Sequence, residues 1–134
     1  MENELPREAV LIVDDDAAIR DSLSSLLQEE GYEVATAANG VEALDCLHRG
    51  LRPCAILLDL MMPVMDGWDF RAVQRQDPTL SAIPVIVVTA AGFRTDTILN
   101  QFGAVDCVHK PPPATTLLAA VHRHCPYHHH HHPH

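Results

Sequence analysis

The chain has 134 residues, 47% hydrophobic and 20% charged, a balance that excludes a disordered polymer and suffices for one domain with its own core. Nine Lys and Arg against eighteen Asp and Glu give a formal net charge of -9; with no basic run, this domain is not expected to bind nucleic acid, whose phosphates need clustered Lys and Arg. No apolar stretch approaches the roughly 20 residues of a membrane span, and Met1-Glu2-Asn3-Glu4 is too acidic to open a signal peptide, so a cytoplasmic protein without a membrane partner is expected.

Ala9 to Val13 is a short apolar run that stops at Asp14-Asp15-Asp16. Ile19, Leu23, Leu26 and Leu27 then recur at helical spacing, and Gly31 ends that helix. Tyr32 to Ala37 reads as a second strand, Asn39-Gly40 as a turn, and Val41, Leu44 and Leu47 as a second helix closing before Gly50. Ala55 to Leu58 is unbroken apolar sequence, the mark of a strand buried on both faces of a parallel sheet. It runs out at Asp59, and Asp66-Gly67 closes the loop beyond it. Trp68 to Gln76 is expected to be helical, ending ahead of Pro78.

Pro84 to Thr89 is β-branched, apolar and again ends in a polar residue. A weaker helix spans Thr95 to Phe102 and stops at Gly103, and Ala104 to His109 makes a fifth strand running into Lys110. Pro111, Pro112 and Pro113 lead to a last helix carrying Leu117, Leu118 and Val121. Five β-α pairs with short connections predict an α/β fold: a parallel sheet covered by helices on both faces, without repeat or linker.

Cys46, Cys54, Cys107 and Cys125 form no CxxC pair, and in a cytosolic chain they read as small buried hydrophobes kept reduced. The domain is expected to occupy residues 1–126. His128 to His132, with Pro133 and His134, belong to a His-rich tail (127–134) that reads as a tag or cloning remnant, a native metal-binding tail being the alternative.

Four of the five strands end in a reactive polar residue: Asp14 and Asp15, then Asp59, Thr89 and Lys110. Parallel strands bring all these ends to one edge, where ligands bind in open α/β sheets. Each has a duller reading: Asp16, or Asp15, could cap a helix, Thr89 could be a plain strand residue, and Lys110 a solvated loop charge. Together they predict a site. Three carboxylates on one edge repel unless neutralised, and Mg²⁺ takes one or two carboxylates, keeps waters and binds a phosphoryl oxygen. With Lys110 as a second positive charge, the set suits in-line phosphoryl transfer with Asp59 as nucleophile. The Thr89 hydroxyl would donate to a phosphoryl oxygen, and small Ala90 leaves room for the donor.

The sequence resembles the receiver domain of two-component response regulators. Asp14-Asp15, Asp59 with Met62-Pro63 and Met65-Asp66-Gly67, Thr89-Ala90 and Lys110-Pro111 match the family's motifs in order and spacing over about residues 8–124. The resemblance implies a doubly wound, five-stranded, flavodoxin-like parallel sheet of order 2-1-3-4-5 and phosphotransfer to Asp59 from a histidine kinase or histidine phosphotransfer protein. It implies Mg²⁺ on Asp15, Asp59 and the Met61 backbone carbonyl, with Asp14 acting through water. It also implies a cis Lys110-Pro111 bond aiming the lysine inward, output by altered docking to an unknown downstream protein, and a monomer or weak dimer through the last two helices. Apart from self-phosphorylation from phosphodonors and slow autodephosphorylation, no enzyme activity is implied.

Two departures from the family pattern stand out. Three residues before the lysine, where members usually carry the Tyr or Phe that moves with the threonine, stands Cys107. The switch through Thr89 and Cys107 is therefore expected to be weak or to use another group such as Phe93; a redox role for Cys107 ranks below an inert buried thiol. Two residues beyond Asp59 and Thr89 stand Met61 and Ala91, neither able to polarise an attacking water, so slow self-dephosphorylation is expected.

A phosphatase of the haloacid dehalogenase type also uses an Asp nucleophile with Mg²⁺, but it wants a carboxylate where Met61 stands. A flavodoxin-like nucleotide or flavin binder would need a phosphate-cradling loop after the first strand, and three aspartates there would repel phosphate. A receiver-like interaction module that works without phosphorylation is the remaining alternative. Nothing after Val121 reads as an output module, so a stand-alone regulator or a piece of a longer chain is expected.

Overall fold

The computed structural model describes residues 9–90 and 92–125. The readings of Ala91 and of the His-rich tail lie outside the described residues. Five strands and five helices alternate: β1 (Ala9–Val13), α1 (Ala17–Glu29), β2 (Glu33–Ala37), α2 (Gly40–His48), β3 (Ala55–Leu58), α3 (Gly67–Gln76), β4 (Val85–Thr89), α4 (Thr95–Thr97), β5 (Asp106–His109) and α5 (Ala114–His124). All pairings are parallel, in the order β2-β1-β3-β4-β5. This is the doubly wound sheet expected from the sequence.

Side-chain alternation along the strands divides the core in two. Leu11, Val13, Ile56, Leu58, Val85 and Val87 face α2, α3 and the segment after α4, packing with Leu47, Phe70, Ile98 and Phe102. Val10, Ile12, Leu57, Ile86, Val88 and Val108 face α1 and α5, packing with Leu23, Leu27, Leu117, Ala120 and Val121. Every residue of β3 and β4 is buried, which explains why their sequences carry no polar alternation.

The fourth helix departs from the regular element expected over Thr95–Phe102. A single α-turn passes directly into a π-helical stretch (Ile98–Phe102), which ends at Gly103 in the left-handed region at φ 82°. Thr95, Thr97 and Ile98 are β-branched and helix-poor. The N-cap residue Arg94 makes no side-chain cap bond and pairs with Asp96 instead. Tyr32, Pro84, Ala104 and Val105 fall just outside the strands expected to include them.

One sequence expectation is overturned. Cys54 and Cys125 are not reduced thiols but a disulfide, with Cα atoms 5.5 Å apart. Cys54 immediately precedes β3, and Cys125 caps α5 on the face that covers β3. Their sequence separation of 71 hides this meeting from any spacing rule. Cys46 and Cys107 are free and half-buried. Among the described residues, no helix is long and apolar enough to cross a membrane.

Candidate functional site

The C-terminal edge of the sheet gathers the polar residues that end β1, β3, β4 and β5. Asp14 follows β1 with its carboxylate almost fully buried, and Oδ1 accepts the Asp16 N–H at 2.9 Å. Asp16 is the helix cap: its Oδ1 accepts from the N–H groups of Ala18 (2.9 Å) and Ile19 (3.3 Å) and starts α1. That leaves Asp15, which is exposed, free to turn toward the site. Asp59 follows β3 and is also buried; its backbone N–H donates to the Val13 carbonyl at 2.9 Å, and its Oδ1 accepts the Met61 N–H at 3.2 Å.

Carboxylate oxygens of Asp14, Asp15 and Asp59 lie within 4.8 Å of one another. Lys110 closes the cluster: its Nζ stands 2.7 Å from Asp14 Oδ2 and 3.2 Å from Asp59 Oδ2. The Lys110-Pro111 bond is cis, as the resemblance implied. Backbone bonding fixes the lysine's start, because the Lys110 N–H donates to the Thr89 carbonyl at 2.8 Å. Thr89 ends β4 fully buried, and its hydroxyl has no hydrogen-bond partner. A buried hydroxyl left unmatched is costly unless a ligand uses it.

The charges in this cluster do not balance. Burial raises the Asp59 pKa; the Met61 N–H and the Lys110 ammonium pull it back without cancelling the effect, and Asp14 adds to it. At Lys110 burial works against the ammonium, but the Asp14 hydrogen bond and the charges of Asp59 and Asp14 outweigh it and hold its pKa above the ordinary value. One ammonium among three carboxylates leaves room for a hard, oxygen-loving cation, so Asp14, Asp15 and Asp59 could hold a metal.

Two residues outside the carboxylate cluster support the site. Arg20, one turn into α1, donates to the Asp14 carbonyl at 2.8 Å and braces that loop from behind. Asp66, read from the sequence as part of a turn, caps α3 by accepting the Asp69 N–H at 2.9 Å. Gly67 lets this loop pass close, since a Cβ there would stand 2.7 Å from the Asp59 carbonyl oxygen and 2.8 Å from Leu60 Cα. Met61 is exposed, and Cys107 sits half-buried against the same side of the sheet as half-buried Phe93. Burial, then the neighbouring Asp106 charge, pushes the Cys107 thiol pKa up despite a Thr95 hydrogen bond, which disfavours the reactive thiolate.

The family model of the response regulator receiver domain matches residues 10–122. The chain is 40% identical over 106 residues to the DNA-binding response regulator MtrA of Mycobacterium tuberculosis, covering 78% of this chain and 45% of that protein; it spans less than half the length of such relatives. Its fold is similar to Vibrio cholerae chemotaxis protein CheY4, with a TM-score of 0.80 and 34% identity over 89% of this chain and 99% of that one. It is also similar to the receiver domain of the Pseudomonas aeruginosa sensor histidine kinase PA1611, solved with magnesium coordinated in its active-site cleft (TM-score 0.80, 27% identity, 90% and 99% covered). A match across nearly every described residue, on a sheet and an acidic edge of this kind, places the chain in the response regulator receiver domain family.

Proposed function

We propose that this domain accepts a phosphoryl group on Asp59 from a histidine kinase or histidine phosphotransfer protein and signals by altered protein docking. The observation that carries this reading is the convergence of the Lys110 ammonium on both Asp14 and Asp59. A structural lysine needs one partner; one shared between two buried carboxylates is suited to moving with a developing charge.

In the proposed transfer an Asp59 carboxylate oxygen attacks phosphorus as the donor's phosphorus–nitrogen bond breaks. The electron pair leaves with the donor imidazole. The Met61 N–H on Oδ1 holds the carboxylate plane. Lys110 neutralises charge as it builds on the phosphoryl oxygens, and the unmatched Thr89 hydroxyl supplies a donor for one of them. Asp14, Asp15, Asp59 and the Met61 backbone carbonyl would hold Mg²⁺, which when bound screens the carboxylates and the transferring group. Support comes from the carboxylate cluster and from the magnesium in the PA1611 receiver.

Docking of the phosphorylated domain would be read through Thr89 and the Cys107 face, where no aromatic ring stands in the position the resemblance expects. The acidic composition favours a protein as the direct partner of this domain; the DNA-binding role in MtrA's name belongs to that longer protein. A receiver unit over 1–126, a cytoplasmic setting and at most weak dimerisation complete the proposal.

Calorimetric titration with beryllium fluoride, a phosphoryl mimic, tests the reading. Binding that requires Mg²⁺ and disappears in Asp59→Asn is expected. No binding by the wild type would favour a docking module that works without phosphorylation.

A further inference from the structure

We propose that Cys54 and Cys125 form a reversible redox site whose disulfide clamps the C-terminal end of α5 to the root of β3, independently of the phosphoacceptor reading. The bridge lies at the sheet edge opposite Asp59, one residue before β3 begins. At the other edge Lys110, just ahead of α5, pairs with Asp59 just beyond β3. The strand and the helix are thus fastened at both ends, once by an ion pair and once by a covalent bond.

Three features make this bond a switch rather than a prerequisite of the fold. Leu117, Ala120 and Val121 are fully buried on the sheet, so α5 stays docked without the bridge and only its last turn is freed. The reduced state has a place: Cys54 Sγ stands 3.3 Å from the Ala9 carbonyl oxygen, a contact that becomes a hydrogen bond once the sulfur carries a proton. The two residues also differ in burial, Cys54 being half-buried and Cys125 fully buried. A reagent in solution therefore meets Cys54 first, with Cys125 placed to resolve the product.

With a small disulfide such as oxidised glutathione as oxidant, the Cys54 thiolate attacks one sulfur and expels one thiol. The Cys125 thiolate then attacks Cys54 Sγ and expels the second. Two protein thiols lose two electrons and two protons, and one small disulfide becomes two thiols. Excess small thiol reverses both steps.

The test equilibrates the folded chain in buffers of varied reduced-to-oxidised glutathione ratio, quenches with acid, alkylates after denaturation and counts added groups by mass. Alkylation of Cys46 and Cys107 alone at the oxidised end, and of all four cysteines at the reduced end, in one reversible step, is expected. The oxidised form should melt about 10 °C or more above the reduced form, given the 71-residue separation it closes. That gap should vanish in Cys54→Ala. Amide exchange in residues 121–125 should speed up at least tenfold on reduction while β1 and β3 stay protected. Four alkylated cysteines at every ratio, or two at every ratio in the folded chain, would overturn the proposal, as would a bridge that uses Cys46 or Cys107.

Discussion

Lys110 Nζ stands 3.2 Å from Asp59 Oδ2 and so ties the end of β5 to the end of β3 across the intervening strand β4. Asp59 is nonetheless harder to ionise than an ordinary aspartate, because burial outweighs its two favourable contacts. The cluster thus holds more buried negative charge than Lys110 neutralises, a deficit that a cation would offset.

A pH dependence follows from that deficit. The folded-state pKa of Asp59 lies above the unfolded value of about 3.9, so the folded state holds the proton more tightly. Without divalent cations, stability from this group is present below the unfolded value and is lost as pH rises through the folded one. Asp59→Asn lacks this loss, so in chelator its stability relative to the wild type should rise as pH rises from 3.5 to neutrality. Urea unfolding of both proteins from pH 3.5 to 8 measures it. Parallel curves would show that Lys110 fully compensates the charge.

Gly67 is where the loop over the site touches β3's extension. Gly67→Ala would push a methyl into backbone atoms that cannot move aside, at a cost of about 1–3 kcal/mol. Gly40→Ala meets mainly the Sδ and Cγ of flexible Met65 and should cost less. Paired thermal melts decide the order, and equal losses would contradict this account of the loop.

Self-dephosphorylation should be slow, because the side chain two residues past Asp59 is exposed, apolar Met61. Met61→Asn adds a group able to orient water and should shorten the phosphoryl lifetime roughly tenfold. Loss of label from pre-phosphorylated protein follows it; a wild-type lifetime of only seconds at neutral pH would show that another group positions the water.

Gln74 is fully buried, donating from Nε2 to the Leu80 (3.0 Å) and Ile83 (3.1 Å) carbonyls and accepting from Arg71 at 2.8 Å. Gln74→Leu strands those carbonyls and should destabilise by about 2–3 kcal/mol. A shift in the urea midpoint worth under about 0.5 kcal/mol would mean the loop before β4 holds itself.

The edge site was legible because its chemistry is written at strand ends: an apolar run stopping at a carboxylate or a lysine marks a position, and parallel topology makes those positions neighbours. Asp14, Asp59 and Lys110 meet for that reason. The duller reading of Asp16 as a cap also held. Gln74 was not legible, since a glutamine amid Arg71, Arg75 and Gln76 looks solvated until the chain after α3 folds back over it. The Cys54–Cys125 bridge escaped for a related reason: it joins residues whose approach depends on α5 lying over β3, information carried by packing and not by spacing. The π-helical turn reflects weak local propensity resolved by the burial of Ile98 and Phe102.

The most direct test of the phosphoacceptor account is intact mass after incubation with acetyl phosphate. The wild type should gain one phosphoryl group in the presence of Mg²⁺ and none without it, and Asp59→Asn should gain none. Equal gain by Asp59→Asn, or gain that ignores Mg²⁺, would contradict the assignment of Asp59 and its acidic neighbours.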